Sequence, residues 1–134
     1  MYTNKIEIRV RYSETDRMGY VYYGHYAQYF EVARVEALRN LGISYRSMEE
    51  DGIMLPVASY SIKYLKPAVY DDLLTVETTI TTLPSAKIHF KYNTFRGDEL
   101  LNEAETTLVF VASENMRPVR CPIALLNKLA PFFE

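Results

Sequence analysis

The chain has 134 residues, 49% hydrophobic and 24% charged, with a formal net charge of −2, 12 tyrosines and a single cysteine. That length suits one domain with a real core, the apolar share excludes a disordered chain, and Cys121 alone excludes a disulfide scaffold and a cysteine-based zinc site. The charge balance argues against a nucleic-acid footprint, and no run approaches the ~18 apolar residues of a membrane span. Residues 1–10 carry charges where a signal peptide needs an apolar run. A cytoplasmic protein is expected, with neither nucleic acid nor membrane as partner. Cys121 stands in Arg-Cys-Pro with no motif around it and reads as a small filler thiol.

Along the chain, Lys5 to Tyr12 alternates apolar and charged residues, the period of a half-buried strand. Ser13 to Gly19 is a polar turn. From Tyr22 to Leu41 the period becomes helical. Tyr26, Phe30, Ala33, Ala37 and Leu41 form one stripe, and Tyr29, Val32 and Val35 widen it. Only Glu31, Arg34, Glu36 and Arg39 are left for solvent, so this helix is expected to be wrapped by other elements, with Gly42 ending it. Ser44 to Glu50 reads as a short helix capped by Ser44. Strands are expected around Ala58–Tyr64, Leu74–Ile80, Ile88–Thr94 and Glu103–Ala112, with a hairpin turn at Arg96-Gly97-Asp98 and a last segment buried on both faces. Pro122 to Leu129 suits a terminal helix. Strands in runs around one long helix predict an antiparallel α+β fold in one domain, 1–134, and the uncovered sheet edges predict a dimer.

The stretch Tyr12 to Arg34 carries the chemistry. Asp16 sits in a tight loop feeding a helix N-terminus, whose first N–H groups lack intrahelical partners and carry partial positive charge. Such amides can bind a developing oxyanion, and Gly19 and Gly24 allow close backbone approach. A carboxylate opposite free amides suits attack on a carbonyl, by itself or through an activated water. The bland alternative is that Asp16 merely caps a helix. Tyr20, Tyr22, Tyr23, Tyr26 and Tyr29 crowd this region, first as packing and then as candidate walls of an acyl pocket.

Thr15-Asp16, Gly19, Val21-Tyr22-Tyr23, Tyr26 and Phe30-Glu31-Val32-Ala33-Arg34 resemble the signature of the 4-hydroxybenzoyl-CoA thioesterase family. The resemblance implies a hot-dog fold, a five-stranded antiparallel sheet wrapped around a long central helix. It also implies hydrolysis of a short- or medium-chain or aromatic acyl-CoA with no metal or cofactor. Asp16 matches the family's essential carboxylate. The backbone N–H of Tyr23, seven residues on, matches its oxyanion donor, with Gly24 beside it. One bacterial branch of the family has a catalytic histidine at that place. Here it is Tyr23, as in the aromatic-acyl branch, and His25 falls two residues later, free to reach the site or only to cover the surface. His89, on the strand face opposite Ile88 and Phe90, reads as structural or solvent-facing.

Glu14 and Glu31 read as solvated or structural, Glu31 within reach of Arg34 or Arg39 on the helix surface. One carboxylate with an oxyanion hole is chemically adequate, because a thiol of pKa ~8.5 leaves readily. A CoA ester brings phosphates, which call for Lys or Arg. Lys63, Lys66 and Lys91 are candidates, and the resemblance ranks Lys87, Arg117 and Arg120 first. Gly19 and Tyr26 are expected beside the substrate. The partners expected are acyl-CoA and the chain itself, as a homodimer or a dimer of dimers with sites at subunit interfaces. The competing readings are a non-catalytic acyl-CoA sensor and a hot-dog dehydratase or hydratase, the latter wanting an acid/base pair that Asp16 to Gly24 does not supply.

Overall fold

Alternation of side chains builds the sheet. The computed structural model of the protein describes every residue from Met1 to Glu134. Its first strand, β1 (Tyr2–Arg9), turns Tyr2, Ile6 and Ile8 inward and leaves Thr3, Lys5 and Glu7 exposed. It stops short of the predicted end, because Tyr12–Glu14 winds into a 3₁₀ turn. The long helix α1 (Tyr23–Arg39) and the short helix α2 (Tyr45–Glu50) follow. Ser44 caps α2 as expected, its hydroxyl accepting from the Ser47 N–H at 3.0 Å.

A two-residue strand β2 (Ile53–Met54) leads into β3 (Val57–Tyr64), β4 (Leu73–Ile80), β5 (Lys87–Arg96) and β6 (Glu99–Val109). β6 starts four residues before the predicted boundary, since the hairpin pairs Arg96 directly with Glu99. The apolar run at its end does not continue as one strand. Phe110 breaks it, and β7 (Val111–Ala112) pairs with β2 in a separate two-stranded piece that the alternation gave no sign of. Helix α3 (Ile123–Leu129) and a 3₁₀ turn close the chain.

The main sheet is antiparallel with strand order β1-β4-β5-β6-β3. Its inner face presents Leu74, Val76, Ile80, Ile88, Phe90, Tyr92 and Leu108, all buried against α1. From the helix, Phe30 stacks on Tyr92 at 4.6 Å between ring centroids, and the Tyr2 hydroxyl donates to the Ala37 carbonyl at 2.7 Å. The outer face is polar, with Lys5 near Glu77 at 3.7 Å and His89 bonded to Thr107 at 2.9 Å. His89 is therefore where the alternation put it. No helix is long and apolar enough to cross a membrane.

Two side chains of α1 exchange their expected places. Arg34 is buried, 8% exposed, with its guanidinium beside the hydroxyls of Tyr92 and Tyr45, while Val32 is 50% exposed. The helical period defines a stripe but not which border residues the sheet covers. Arg34 therefore does not pair with Glu31, and Arg39 pairs with Glu36 at 3.2 Å instead. Val32 faces away from Tyr23 and Ala27, which lie about half a turn round the helix from it and leave an apolar flank of α1 open. The Tyr23 and Ala27 flank lies on the side of β3, a strand that pairs only with β6 and carries exposed Val57, Tyr60 and Tyr64.

Candidate active site

Asp16 lies in a closed turn rather than at a helix cap. Its N–H donates to the Tyr20 carbonyl at 2.8 Å, and the Gly19 N–H donates to the Asp16 carbonyl at 2.9 Å. Gly19 takes φ +82°, a left-handed conformation with no atom within 4 Å of a notional Cβ, so it is there for the turn rather than for crowding. The side chain is half-committed. Oδ1 accepts the Met18 N–H at 2.9 Å and, more weakly, the Tyr20 N–H at 3.4 Å, which leaves Oδ2 unengaged.

The turn is fastened on two sides. Val21 donates to the Ala68 carbonyl at 2.9 Å, and Tyr20 bridges to Val69, so the segment after β3 backs the loop. That segment is held in turn by Arg96, whose guanidinium donates to Asp72 at 2.7 Å and to the Pro67 carbonyl at 3.3 Å. On the helix side, the Tyr22 N–H donates to the Glu14 carbonyl at 2.8 Å. Glu14 is 3% exposed and structural, as one of its two expected readings had it. Its carboxylate accepts from the Arg11 N–H at 2.9 Å, the Arg11 guanidinium at 3.0 Å and the Tyr29 hydroxyl at 2.8 Å. Burial pushes its pKa upward, but these hydrogen bonds outweigh it and hold the group below the usual carboxylate range.

Helix α1 starts at Tyr23 with no side-chain cap: its N-cap is Tyr22. The N–H groups of Tyr23 and Gly24 donate to no protein acceptor, while that of His25 is taken by the Tyr22 carbonyl at 2.9 Å. Two free amides at a helix start, with about half a positive charge spread over the terminal groups, are able to hydrogen-bond an anion. The Tyr22 ring covers Gly24, where a Cβ would meet it at 2.9 Å, so the glycine makes room for that ring.

A cleft of about 310 Å³ brings these parts together. Asp16 and Tyr23 line it with Tyr20, Tyr26, Tyr64 and Lys66. Tyr26 is 2% exposed, and burial raises its phenol to about 12, so it stays neutral as a wall of the cleft. Gly19 belongs to the same turn but not to the lining, and Gly24 adjoins the lining only through Tyr23. His25 lies outside it too, with Nδ1 3.1 Å from Gln28 Oε1 on the helix surface. A larger hollow of about 520 Å³ lies on the outer sheet face among Lys63, Lys91, Asn93 and Glu103, and none of the predicted catalytic residues lines it.

Lys87, Arg117 and Arg120 gather elsewhere. Ser85 accepts the Cys121 N–H at 2.6 Å, which joins the turn before β5 to the segment after β7, and Ala86 accepts the N–H of Phe110, just before β7, at 3.2 Å. This end of β5 lies a full strand from Arg96 and the cleft, and ten residues span roughly 30 Å. Within one chain the three basic residues and Asp16 are not neighbours. The Arg96 support and the Glu14–Tyr29 contact had no signature in the sequence, since both are long-range pairs in three dimensions.

A family model described as the thioesterase-like superfamily matches residues 10–129. The chain is 35% identical over 116 residues to the acyl-CoA thioesterase YbgC of Haemophilus influenzae, covering 86% of this chain and 85% of that one. It is 32% identical over 120 residues to the acyl-CoA thioester hydrolase YbgC of Escherichia coli, covering 89% and 90%. Among solved structures, a DHNA-CoA thioesterase from Staphylococcus aureus superposes with a TM-score of 0.87 at 34% identity, covering 99% of this chain and 87% of that one. With the sheet wrapped on α1 and the Asp16 loop at the helix start, the chain belongs to the thioesterase-like superfamily and has its hot-dog fold.

Proposed function

We propose that the protein hydrolyses acyl-CoA thioesters with Asp16 as the catalytic carboxylate and the N–H groups of Tyr23 and Gly24 as the oxyanion hole. That it is an acyl-CoA thioester hydrolase rests on relatives with that activity in their names at 32–35% identity. The roles of the residues rest on one observation: Asp16, with Oδ2 unengaged, shares a cleft with Tyr23 at the start of α1, where the amides of Tyr23 and the adjoining Gly24 lack partners.

The carbonyl oxygen of the thioester sits at the helix start, where the amides stabilise the negative charge that builds on it. Asp16 Oδ2 is the acting atom. It attacks the thioester carbon itself, or it takes a proton from the water that does. Collapse of the tetrahedral intermediate breaks the C–S bond, and the CoA thiolate leaves and takes up a proton. In the direct route, water then hydrolyses the mixed anhydride. Single turnover in ¹⁸O water separates the two, because only the direct route labels the Asp16 carboxylate. The tyrosine walls suit a short- or medium-chain or aromatic acyl group.

The distance from Asp16 to Lys87, Arg117 and Arg120 supports a site shared between two copies. β3 runs from Val57, beside Leu108, to Tyr64, beside Asn102, so its start lies at the Lys87 end of the sheet and its finish at the cleft end. Two copies pairing β3 antiparallel about a two-fold axis bring the basic end of one to the cleft of the other. The same pairing covers Val57, Tyr60 and Tyr64, which a lone chain exposes.

The decisive measurement is thiol release from a panel of acyl-CoA esters by wild type and Asp16→Asn. The variant is expected to lose at least 100-fold in kcat with an unchanged circular dichroism spectrum. Normal turnover in the variant removes Asp16 from the mechanism. Binding of acyl-CoA without turnover across the panel makes the protein a sensor.

A further inference from the structure

We propose that Glu14 and Tyr29 form a positioning pair that fixes Asp16 against the oxyanion amides of α1. The proposal rests on the reading of Asp16 above and adds two residues that touch no substrate. Glu14 is the only carboxylate among the six buried polar or charged residues, and burying an ionised carboxylate is costly unless its oxygens are satisfied. Here they are: Oε1 takes the Arg11 N–H and the Tyr29 hydroxyl, and Oε2 takes the Arg11 guanidinium.

The arrangement does more than cap the 3₁₀ turn. Contacts with Arg11, three residues back, explain the cap. The Tyr29 bond spans fifteen residues and ends on the second turn of α1, on its buried face. At the same residue the backbone carbonyl takes the N–H of Tyr22, the last residue before the helix. Glu14 therefore grips α1 at two points, its start and its second turn. The two halves of the reaction centre diverge from this grip. Asp16 lies two residues after Glu14, and the first free amide, on Tyr23, follows the residue that its carbonyl holds. The loop between is closed on itself by the Thr15–Val21 bridge and the Asp16–Tyr20 bond. Releasing the carboxylate leaves the backbone bonds to Ala68 and from Tyr22 in place but removes the tie to the second turn of α1. The closed loop can then tilt on those remaining bonds relative to the helix. A misplacement of about 1 Å at a reaction centre can cost around 100-fold in rate.

The test uses Tyr29→Phe, which deletes one hydroxyl, and Glu14→Gln, which keeps the shape and removes the charge. Each is expected to lower kcat for acyl-CoA hydrolysis by about 10- to 100-fold while KM stays within about threefold. In an Asp16→Asn background, Tyr29→Phe is expected to change the residual rate by less than about twofold, because no carboxylate remains to be misplaced. A merely stabilising contact would lower the melting temperature and leave kcat per folded molecule unchanged. Wild-type kcat in both variants, or the full loss repeated in the Asp16→Asn background, overturns the proposal. Normal turnover in Asp16→Asn alone overturns instead the reading on which it stands.

Discussion

At the scale of single residues, backbone conformation and burial set what each group can do. Gly19 holds φ +82° in the turn that presents Asp16, and a side chain in the left-handed region costs roughly 1–2 kcal/mol. Gly19→Ala is therefore expected to lower stability by about 1 kcal/mol in urea titration and to reduce kcat. Cys121 shows the opposite case, an inert group made so by its surroundings. Burial pushes its thiol up to about 12, which leaves roughly one in ten thousand ionised at pH 8. A chromogenic thiol reagent is expected to spare Cys121 in the folded protein and to count one thiol after unfolding. Glu14 ties stability to pH. Its folded pKa is lowered, so its contribution is complete above the ordinary carboxylate value near ~4.3 and fades as pH falls through the lowered one. The stability gap between wild type and Glu14→Gln, measured by urea midpoints, is expected to narrow on acidification through that window.

Elements are where the sequence speaks most plainly. Period two marks β1, β4, β5 and β6, and period 3.6 marks α1, because burial on one face repeats with the geometry of the backbone, whereas β3 alternates in sequence with only Ile62 partly buried. Ser44 starts α2 for a reason that is local in the chain, a hydroxyl accepting the Ser47 N–H, and Ser44→Ala is expected to cost about 1 kcal/mol by thermal denaturation. Phe30 is fully buried between Tyr92 and Tyr60, so Phe30→Ala is expected to cost about 3–5 kcal/mol. What the periods leave open lies at borders. Arg34 and Val32 are two residues apart at the edges of the apolar stripe, and only the sheet's actual reach decides that Arg34 goes in. The split of Leu108 to Ala112 into two strands is likewise invisible locally, since its cause is the pairing of Val111 and Ala112 with residues some 58 positions earlier.

For the whole molecule, the proposed antiparallel pairing of β3 makes a strong expectation. Asp16→Asn has a damaged carboxylate, and Lys87→Ala/Arg117→Ala/Arg120→Ala has a damaged phosphate site. Each is expected to be poorly active at low substrate when assayed alone. After mixing and subunit exchange, half of the dimers are mixed and one of their two sites is whole, so about a quarter of wild-type activity returns. If all residues of a site came from one chain, mixing would restore nothing. Analytical ultracentrifugation of Val57→Lys, which puts a charge on the exposed edge of β3, is expected to show monomer and a matching loss of kcat/KM.

The sequence by itself determined the three helices, the five strands of the main sheet, the antiparallel α+β architecture and the segment that carries the chemistry, because these follow from periodicity, turn residues and a motif contiguous in the chain. The helix expected from Tyr22 begins at Tyr23, one residue on, and a helix N-terminus leaves its first amides free wherever the helix begins. Only the tertiary structure decided that Asp16 closes a turn rather than capping a helix, and that His25 faces Gln28 rather than the cleft. It also decided that Glu14 reaches Tyr29, and that Lys87, Arg117 and Arg120 collect a strand-length from Asp16. Each of these is a relation between parts of the chain brought together by packing. Local pattern fixes which face a side chain occupies, whereas its neighbour across that face depends on how the sheet, helix and loops close on one another.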